Sequence, residues 1–250
     1  MNDFLDAFKF VIHNGSPRPQ GAPSLLSLTF QHLQLSGAAI AVALVIAIPI
    51  GVWLGHLHRG SFAAINISNI GRALPSLAIL AFGVAILGLG FLNVVVALVI
   101  LAVPPMLTNS YVAVENIDRD LVDAARGMGM SGWEILRRVE LPLALPLIFA
   151  GIRTSAVYVV ATATITSLAG YSGSLGDVIA NQASYHFSGV LGAAICVALL
   201  ALLVESAFAL IQRVVTPRGL KLASASPQER LGVRGLDPEL AAEHSGAGSI

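Results

Sequence analysis

The chain has 250 residues, of which 56% are hydrophobic and only 11% charged, and its mean hydropathy is strongly positive. A water-soluble domain cannot hide that much apolar surface, so the expected solvent is a bilayer. Basic and acidic residues balance at 14 each, which removes any global attraction for nucleic acid and leaves the information in where the charges sit.

Residues 1–30 carry Asp3, Asp6 and Lys9 but lack a basic n-region, a continuous apolar stretch and a small-residue cleavage site. No signal peptide is expected there. Crossing about 30 Å of hydrocarbon takes roughly 20 helical residues, with every backbone group bonded internally. Residues 35–55 meet that length without a charge. Residues 73–114 are also uncharged, and as one helix would be roughly twice the membrane thickness, so the chain must turn back. Gly88, Gly90 and Asn93 mark the turn, predicting spans over 62–87 and 92–111. A fourth is predicted over 143–169 and a fifth over 190–211, separated by the Gly- and Ser-rich stretch 170–189. Cys196, the single cysteine, falls in the last span and reads as a small hydrophobe; no disulfide framework exists.

Lys and Arg alone set the orientation. One side of a five-span arrangement holds Arg59, Arg119, Arg126, Arg137, Arg138, Arg213, Arg218, Lys221, Arg230 and Arg234, the other only Lys9 and Arg18, and Arg72 and Arg153 lie within spans. Ten against two predicts a cytoplasmic 118–142 connection and C-terminus, with the N-terminus outside. Residues 31–217 form the membrane domain. The stretch 218–250, rich in Ala, Ser and Gly and poor in large apolar groups, is predicted to be a disordered cytoplasmic tail.

The connection after the third span has its own pattern. Asp118 or Asp120 can cap a short helix through Arg126, Gly127 can end it, and Ser131 with Glu134 three residues later has capping-box spacing for a second helix stopping before Pro142. Glycines at 127 and 129 permit positive φ and the close approach of another surface. On chemistry alone, the segment reads equally as a docking projection or as an amphipathic loop with good turn residues.

Asp123-Ala124-Ala125, then Gly129 after three residues, then Val139-Glu140-Leu141-Pro142 after nine more, resembles the EAA motif of ABC importer permeases (EAA, three residues, G, nine residues, I-x-L-P). Asp123 replaces Glu and Val139 replaces Ile, each conservative in charge or shape. The resemblance implies an all-α integral membrane protein of the type I ABC importer permease kind, with about five spans. It also implies that Asp123, Ala124, Ala125, Gly127, Gly129, Val139, Leu141 and Pro142 belong to a coupling helix that docks on a cytoplasmic ABC ATPase dimer.

A further resemblance, over roughly residues 26–210, is to the branch that imports glycine betaine, carnitine, choline and related quaternary amines. It is carried by Ala73-Leu74-Pro75-Ser76-Leu77-Ala78, by 123–130, by 140–146, by Gly151-Ile152-Arg153-Thr154 and by Gly173-Ser174-Leu175-Gly176-Asp177. That branch implies an extracytoplasmic substrate-binding protein, a second permease copy or paralogue, and a multi-pass location in the bacterial cytoplasmic (inner) membrane. No Gly-x-x-x-x-Gly-Lys-Ser/Thr segment occurs in the sequence, so ATP and Mg are expected in the partner ATPase, with no catalytic residue or cofactor in this chain.

Polar residues within spans are costly in lipid and are read individually. Arg153 can snorkel to the cytoplasmic surface. Arg72, Pro75 and Ser76 mark a helix interruption open to a gate or pathway role, for which Arg153 and Glu205 are the other candidates. Glu205 reads as an anchor or as the partner of another chain's basic residue, and Asp177 as a contact for a delivery protein or a local cap. Tyr111, Tyr158 and Tyr171 can offer π faces to a quaternary ammonium or act as interfacial anchors. His32, His56, His58 and His186 lack metal-ligand spacing. Other readings are an ABC permease for amino acids, methionine or an oxyanion, an ion-coupled secondary transporter, and a membrane scaffold. Few intramembrane acids and no evident inverted repeat disfavour the secondary transporter, and a scaffold leaves the EAA-like loop unexplained.

Overall fold

The computed structural model describes residues 2–60, 62, 66, 69, 71 and 73–216. Arg72 and the tail predicted over 218–250 lie outside the described residues. Every regular element among the described residues is helical, in the order α1 (Asn2–Ile12), α2 (Leu25–His56), α3 (Ser76–Leu87), α4 (Phe91–Glu115), α5 (Arg119–Gly127), α6 (Gly132–Ile135), a π-helical turn (Leu136–Glu140), α7 (Leu141–Thr162), a 3₁₀ segment (Ala163–Ala169), α8 (Gly176–Ala180) and α9 (Gln182–Val215).

Among the described residues, four stretches are long and apolar enough to cross a membrane: Leu25–His56, Phe91–Glu115, Gly132–Ala169 and Gln182–Val215. They contain the predicted first, third, fourth and fifth spans. The second predicted span is interrupted. Phe62, Asn66, Asn69, Gly71 and Ala73 are helical, but the helix is broken at Leu74 and Pro75 and resumes as α3. At 12 residues, α3 is roughly 18 Å long and cannot cross alone. Pro75 has no N–H and drives the residue before it out of the α region.

α2 starts ten residues before the predicted span because Ser24 caps it, its Oγ accepting the Ser27 N–H at 3.2 Å. Ala39, Ala43, Ala47, Gly51 and Gly55 recur every fourth residue and are buried. They bring α2 against α4 so closely that a Cβ on Gly51 would lie 2.6 Å from the Leu107 carbonyl oxygen, and one on Gly55 2.7 Å from that of Tyr111. Small residues serve this purpose in lipid, where apolar burial no longer drives association and close van der Waals contact must.

Gly88 and Gly90 turn the chain at φ 76° and 145°, as predicted. Asn93 is not part of that turn: it is buried inside α4 and packs against Gly83 of α3. α7 and α9 run antiparallel, with Gln212 Nε2 donating to the Pro146 carbonyl at 2.9 Å. Large side chains such as Val45, Phe82, Ile86, Leu203 and Val214 remain exposed on the outer faces, as expected for a protein solvated by acyl chains.

At the opposite end from the 118–142 connection, His32 is fully buried. Its Nε2–H donates to the Val160 carbonyl at 2.9 Å, and Nδ1 accepts the Leu175 N–H at 3.4 Å. α1, for which the sequence suggested no structure, buries Ala7 and Phe10 against α9. The Phe10 ring meets Tyr185 edge-on at 6.2 Å and covers Gly189 and Gly192.

Candidate functional site

The 118–142 connection folds into a compact projection through local chemistry. The Asp118 carboxylate accepts the Asp120 N–H at 2.9 Å and starts α5. The helix ends in a Schellman motif: the Met130 N–H bonds to the Ala125 carbonyl at 3.2 Å and the Gly129 N–H to that of Arg126 at 2.9 Å, with Gly129 in the left-handed region at φ 84°. Gly129, not Gly127, is therefore the terminator; Gly127 is the last helical residue. The predicted capping box is present. Ser131 Oγ accepts the Glu134 N–H at 3.4 Å, and Glu134 Oε2 accepts the Ser131 N–H at 3.0 Å.

The helix predicted to stop before Pro142 instead continues. Gly132–Ile135 passes through the π turn, where the Leu141 N–H reaches back to the Leu136 carbonyl, directly into α7. Pro142, at the start of α7, cannot donate to the ladder; the wider turn before it lets the helix run on without that bond.

Within this projection Ala125 is buried and anchors α5, whereas Asp123, Ala124, Gly127 and Gly129 are exposed, and Val139, Leu141 and Pro142 are half-buried at the root. Asp123 pairs with Arg126 at 3.1 Å, both largely in solvent, an ion pair of small energetic weight. Leu121, Met128 and Trp133 are 49%, 72% and 65% exposed. Leu121 and Met128 stand outside the membrane-length helices and Trp133 is the second residue of the Gly132–Ala169 stretch; apolar groups of this size amid charged neighbours form a candidate contact surface. The sequence reading missed them, although a Trp amid charges was the available signal. His58, Arg119, Val122, Asp123 and Arg126 line a groove of about 290 Å³ beside α5.

A second feature at the root was also missed. His56, the last residue of α2, donates from Nδ1 to Glu140 Oε2 at 2.6 Å, and the Glu140 side chain is 2% exposed. Glu140 occupies the unspecified position of I-x-L-P, so the motif drew no attention to it.

Of the membrane residues singled out, Pro75 is exposed at the helix break and Ser76 half-buried at the first position of α3. Arg153 of α7 and Glu205 of α9 come together at 3.7 Å, each partly exposed. The antiparallel packing of α7 on α9 brings the two into register within this chain. Asp177 acts as the local cap, its Oδ2 accepting the Gly173 N–H at 2.6 Å and the Ser174 N–H at 3.2 Å. Tyr111 is buried in the core and Tyr171 lies beyond the 3₁₀ segment, whereas Tyr158 lines a cavity of about 240 Å³ with Gly71, Leu101, Pro105 and Thr154, midway along α4.

A bundle of long apolar helices with large side chains exposed on their outer faces and one compact projection at one end defines a multi-pass membrane protein. Residues 47–218 match the family described as "Binding-protein-dependent transport system inner membrane component", and the chain belongs to that family. It is 41% identical over 198 residues, covering 79% of this chain and 91% of the relative, to the glycine betaine/carnitine/choline transport system permease protein OpuCB of Bacillus subtilis. It is 40% identical, over 80% and 92%, to the carnitine transport permease protein OpuCB of Listeria monocytogenes. Among solved structures, an inward-facing conformation of the MetNI methionine ABC transporter matches with a TM-score of 0.67 at 25% identity, covering 77% of this chain and 96% of that one. The chain is accordingly a membrane permease subunit of an ABC importer.

Proposed function

We propose that this permease carries a quaternary-amine osmoprotectant such as glycine betaine, carnitine or choline, driven by a separate cytoplasmic ABC ATPase dimer that holds ATP and Mg and docks on the 118–142 projection. The docking reading rests on the projection itself: the EAA-like residues form a capped, Gly129-terminated turn that presents Leu121, Met128 and Trp133 outward. Closure of the ATPase would push this turn and switch the spans between inward- and outward-open forms, a binding protein outside would deliver cargo, and a second permease copy or paralogue would complete the path. The chain itself performs no chemistry. The names borne by the relatives at about 40% identity support this cargo over methionine, which is named for the 25% identical structural neighbour. Arg59, Arg119, Arg126, Arg137 and Arg138 follow the ends of α2 and α4 or lie in the projection, which supports a cytoplasmic position for that end in a bacterial inner membrane.

Replacing Gly129 by Leu tests the docking. A Cβ there meets nothing within 4 Å, but φ is 84°, so Leu strains the turn by roughly 1–3 kcal/mol and adds bulk at its tip. Insertion, which depends on the spans, should persist while ATPase co-purification and choline or glycine betaine uptake fall sharply. Gly129→Asn, which tolerates left-handed backbone, should retain more of both. Normal insertion with wild-type uptake in Gly129→Leu would remove the projection as the coupling element.

A further inference from the structure

We propose that the His56–Glu140 pair is the joint through which the first membrane helix, α2, moves as one body with the coupling projection during transport; this rests on the reading of 118–142 as the ATPase dock. The chain connects the projection directly to α4 at one side and to α7 at the other. α2 reaches it through the backbone only by way of α3 and α4, so a direct route from the projection to α2 runs through contacts between packed helices.

The contacts at that place are few and specific. Glu140 is buried, and its Oε2 receives the His56 Nδ1–H at 2.6 Å, at the short end for bonds of this kind and in keeping with a strong, charge-assisted one. On the other side of the same imidazole, a Cβ on Gly132 would lie 3.5 Å from His56 Nε2, so the ring sits between the first residue of α6 and the last of the π turn. One residue earlier, Gly55 lies against the Tyr111 backbone of α4. The end of α2 is thus keyed both to the projection's root and to the helix that enters it.

The π turn makes this possible. Its extra residue rotates the downstream part of the helix by roughly 100° relative to a continuous α-helix. Glu140 can therefore face α2 while Ser131 to Ile135 keep the orientation set by the capping box. Parting the pair would leave the buried Glu140 carboxyl without its His56 hydrogen bond, a less favourable state than the bonded one. The two elements therefore travel together instead of sliding past each other, and a push on the projection reaches α2 and α7 at once.

The test uses the complete transporter in membranes. Spin labels on cysteines replacing exposed Leu57, just after α2, and exposed Arg137, in the π turn, in a Cys196→Ser background, report the distance across the joint with the native pair in place. The distance distribution should be the same in the nucleotide-free and ATP-bound complexes; a distribution that shifts or broadens on ATP binding overturns the joint. In parallel, His56→Ala should still insert and co-purify with the ATPase, and still allow ATP hydrolysis, while choline or glycine betaine imported per ATP falls roughly tenfold or more. The exchanged pair, His56→Glu with Glu140→His, should restore that ratio. A purely structural pair would lower yield and thermal stability but leave import per ATP unchanged, and that result also overturns the proposal. Should His56→Ala fail to insert, the label distance decides alone. Failure of the wild-type projection to bind the ATPase would sink the docking reading, whereas intact docking with a changing 57–137 distance would sink only the joint.

Discussion

Gly55 has no room for a side chain: a Cβ would lie 2.7 Å from the Tyr111 carbonyl oxygen and 2.9 Å from Val114 Cβ, and neither backbone nor a β-branched neighbour in a helix can give way easily. Gly55→Val should therefore push α2 off α4 and destabilise the bundle by about 1–3 kcal/mol, the usual penalty of overpacking. Thermal unfolding in detergent is expected to show a lowered transition, and because the displaced helix end carries His56, import should suffer more than insertion. Wild-type melting in that variant would mean that the two helices are less closely apposed than described. Gly129 presents the opposite case, with open space and a demanding φ, so one glycine is required by contact and the other by conformation.

Among the helices, α6 is a single turn of four residues at the start of the helix that runs on through the π turn into α7, and the N–H groups of a first turn have no partner within the helix. Its capping box holds it, and Ser131→Ala removes the side-chain half of that box at a cost of about 1 kcal/mol. The expected readout is faster amide exchange over 132–136 and weaker ATPase association, with the spans unaffected; unchanged exchange would show that the π turn and α7 suffice to organise the segment. Trp133, the second residue of α6 and 65% exposed, is the large apolar group this turn presents. Trp133→Ala should reduce ATPase affinity by roughly tenfold or more if it is the central anchor of the interface, without altering the thermal stability of the isolated permease. An unchanged affinity would relocate the anchor to Leu121 or Met128.

For the molecule as a whole, the distribution of basic residues predicts opposite sides for the two termini. Cysteines at positions 16 and 226, in a Cys196→Ser background, should react with a membrane-impermeant thiol reagent from opposite faces, and labelling of both from one face would refute that orientation. The docking reading also sets a stoichiometry. An ATPase dimer offers two equivalent docking places and this sequence supplies one EAA-like loop, so the mass of the purified active complex should correspond to two permease chains per ATPase pair. An active complex with one would defeat it.

Features that depend on neighbours along the chain were legible in the amino-acid order. The apolar lengths located four of the five predicted crossings, Gly88 and Gly90 marked the turn between α3 and α4, and Ser131 with Glu134 specified the capping box, because hydrophobic thickness, backbone freedom and cap bonds are all settled within a few residues. The caps of the 118–142 connection were legible for the same reason, whereas its reading as a docking loop came from the EAA resemblance. The divided second passage was only half legible: Pro75 was recognised as an interruption, yet the apolar run on both sides of it still read as one span. Contacts between residues distant in sequence came from the packed helices alone. His56 meets Glu140 across 84 positions, Arg153 meets Glu205 across the α7–α9 interface, and Asn93 lies inside a helix because Gly83 of the neighbouring helix makes space for it. α1, which has no length or composition signal for a span, gains its place only from the surface that Tyr185, Gly189 and Gly192 of α9 offer to Phe10. A single polar or aromatic residue within an apolar run carries no mark of its partner. That partner is chosen by which helix faces come together, and in a bilayer close packing of small residues makes that choice.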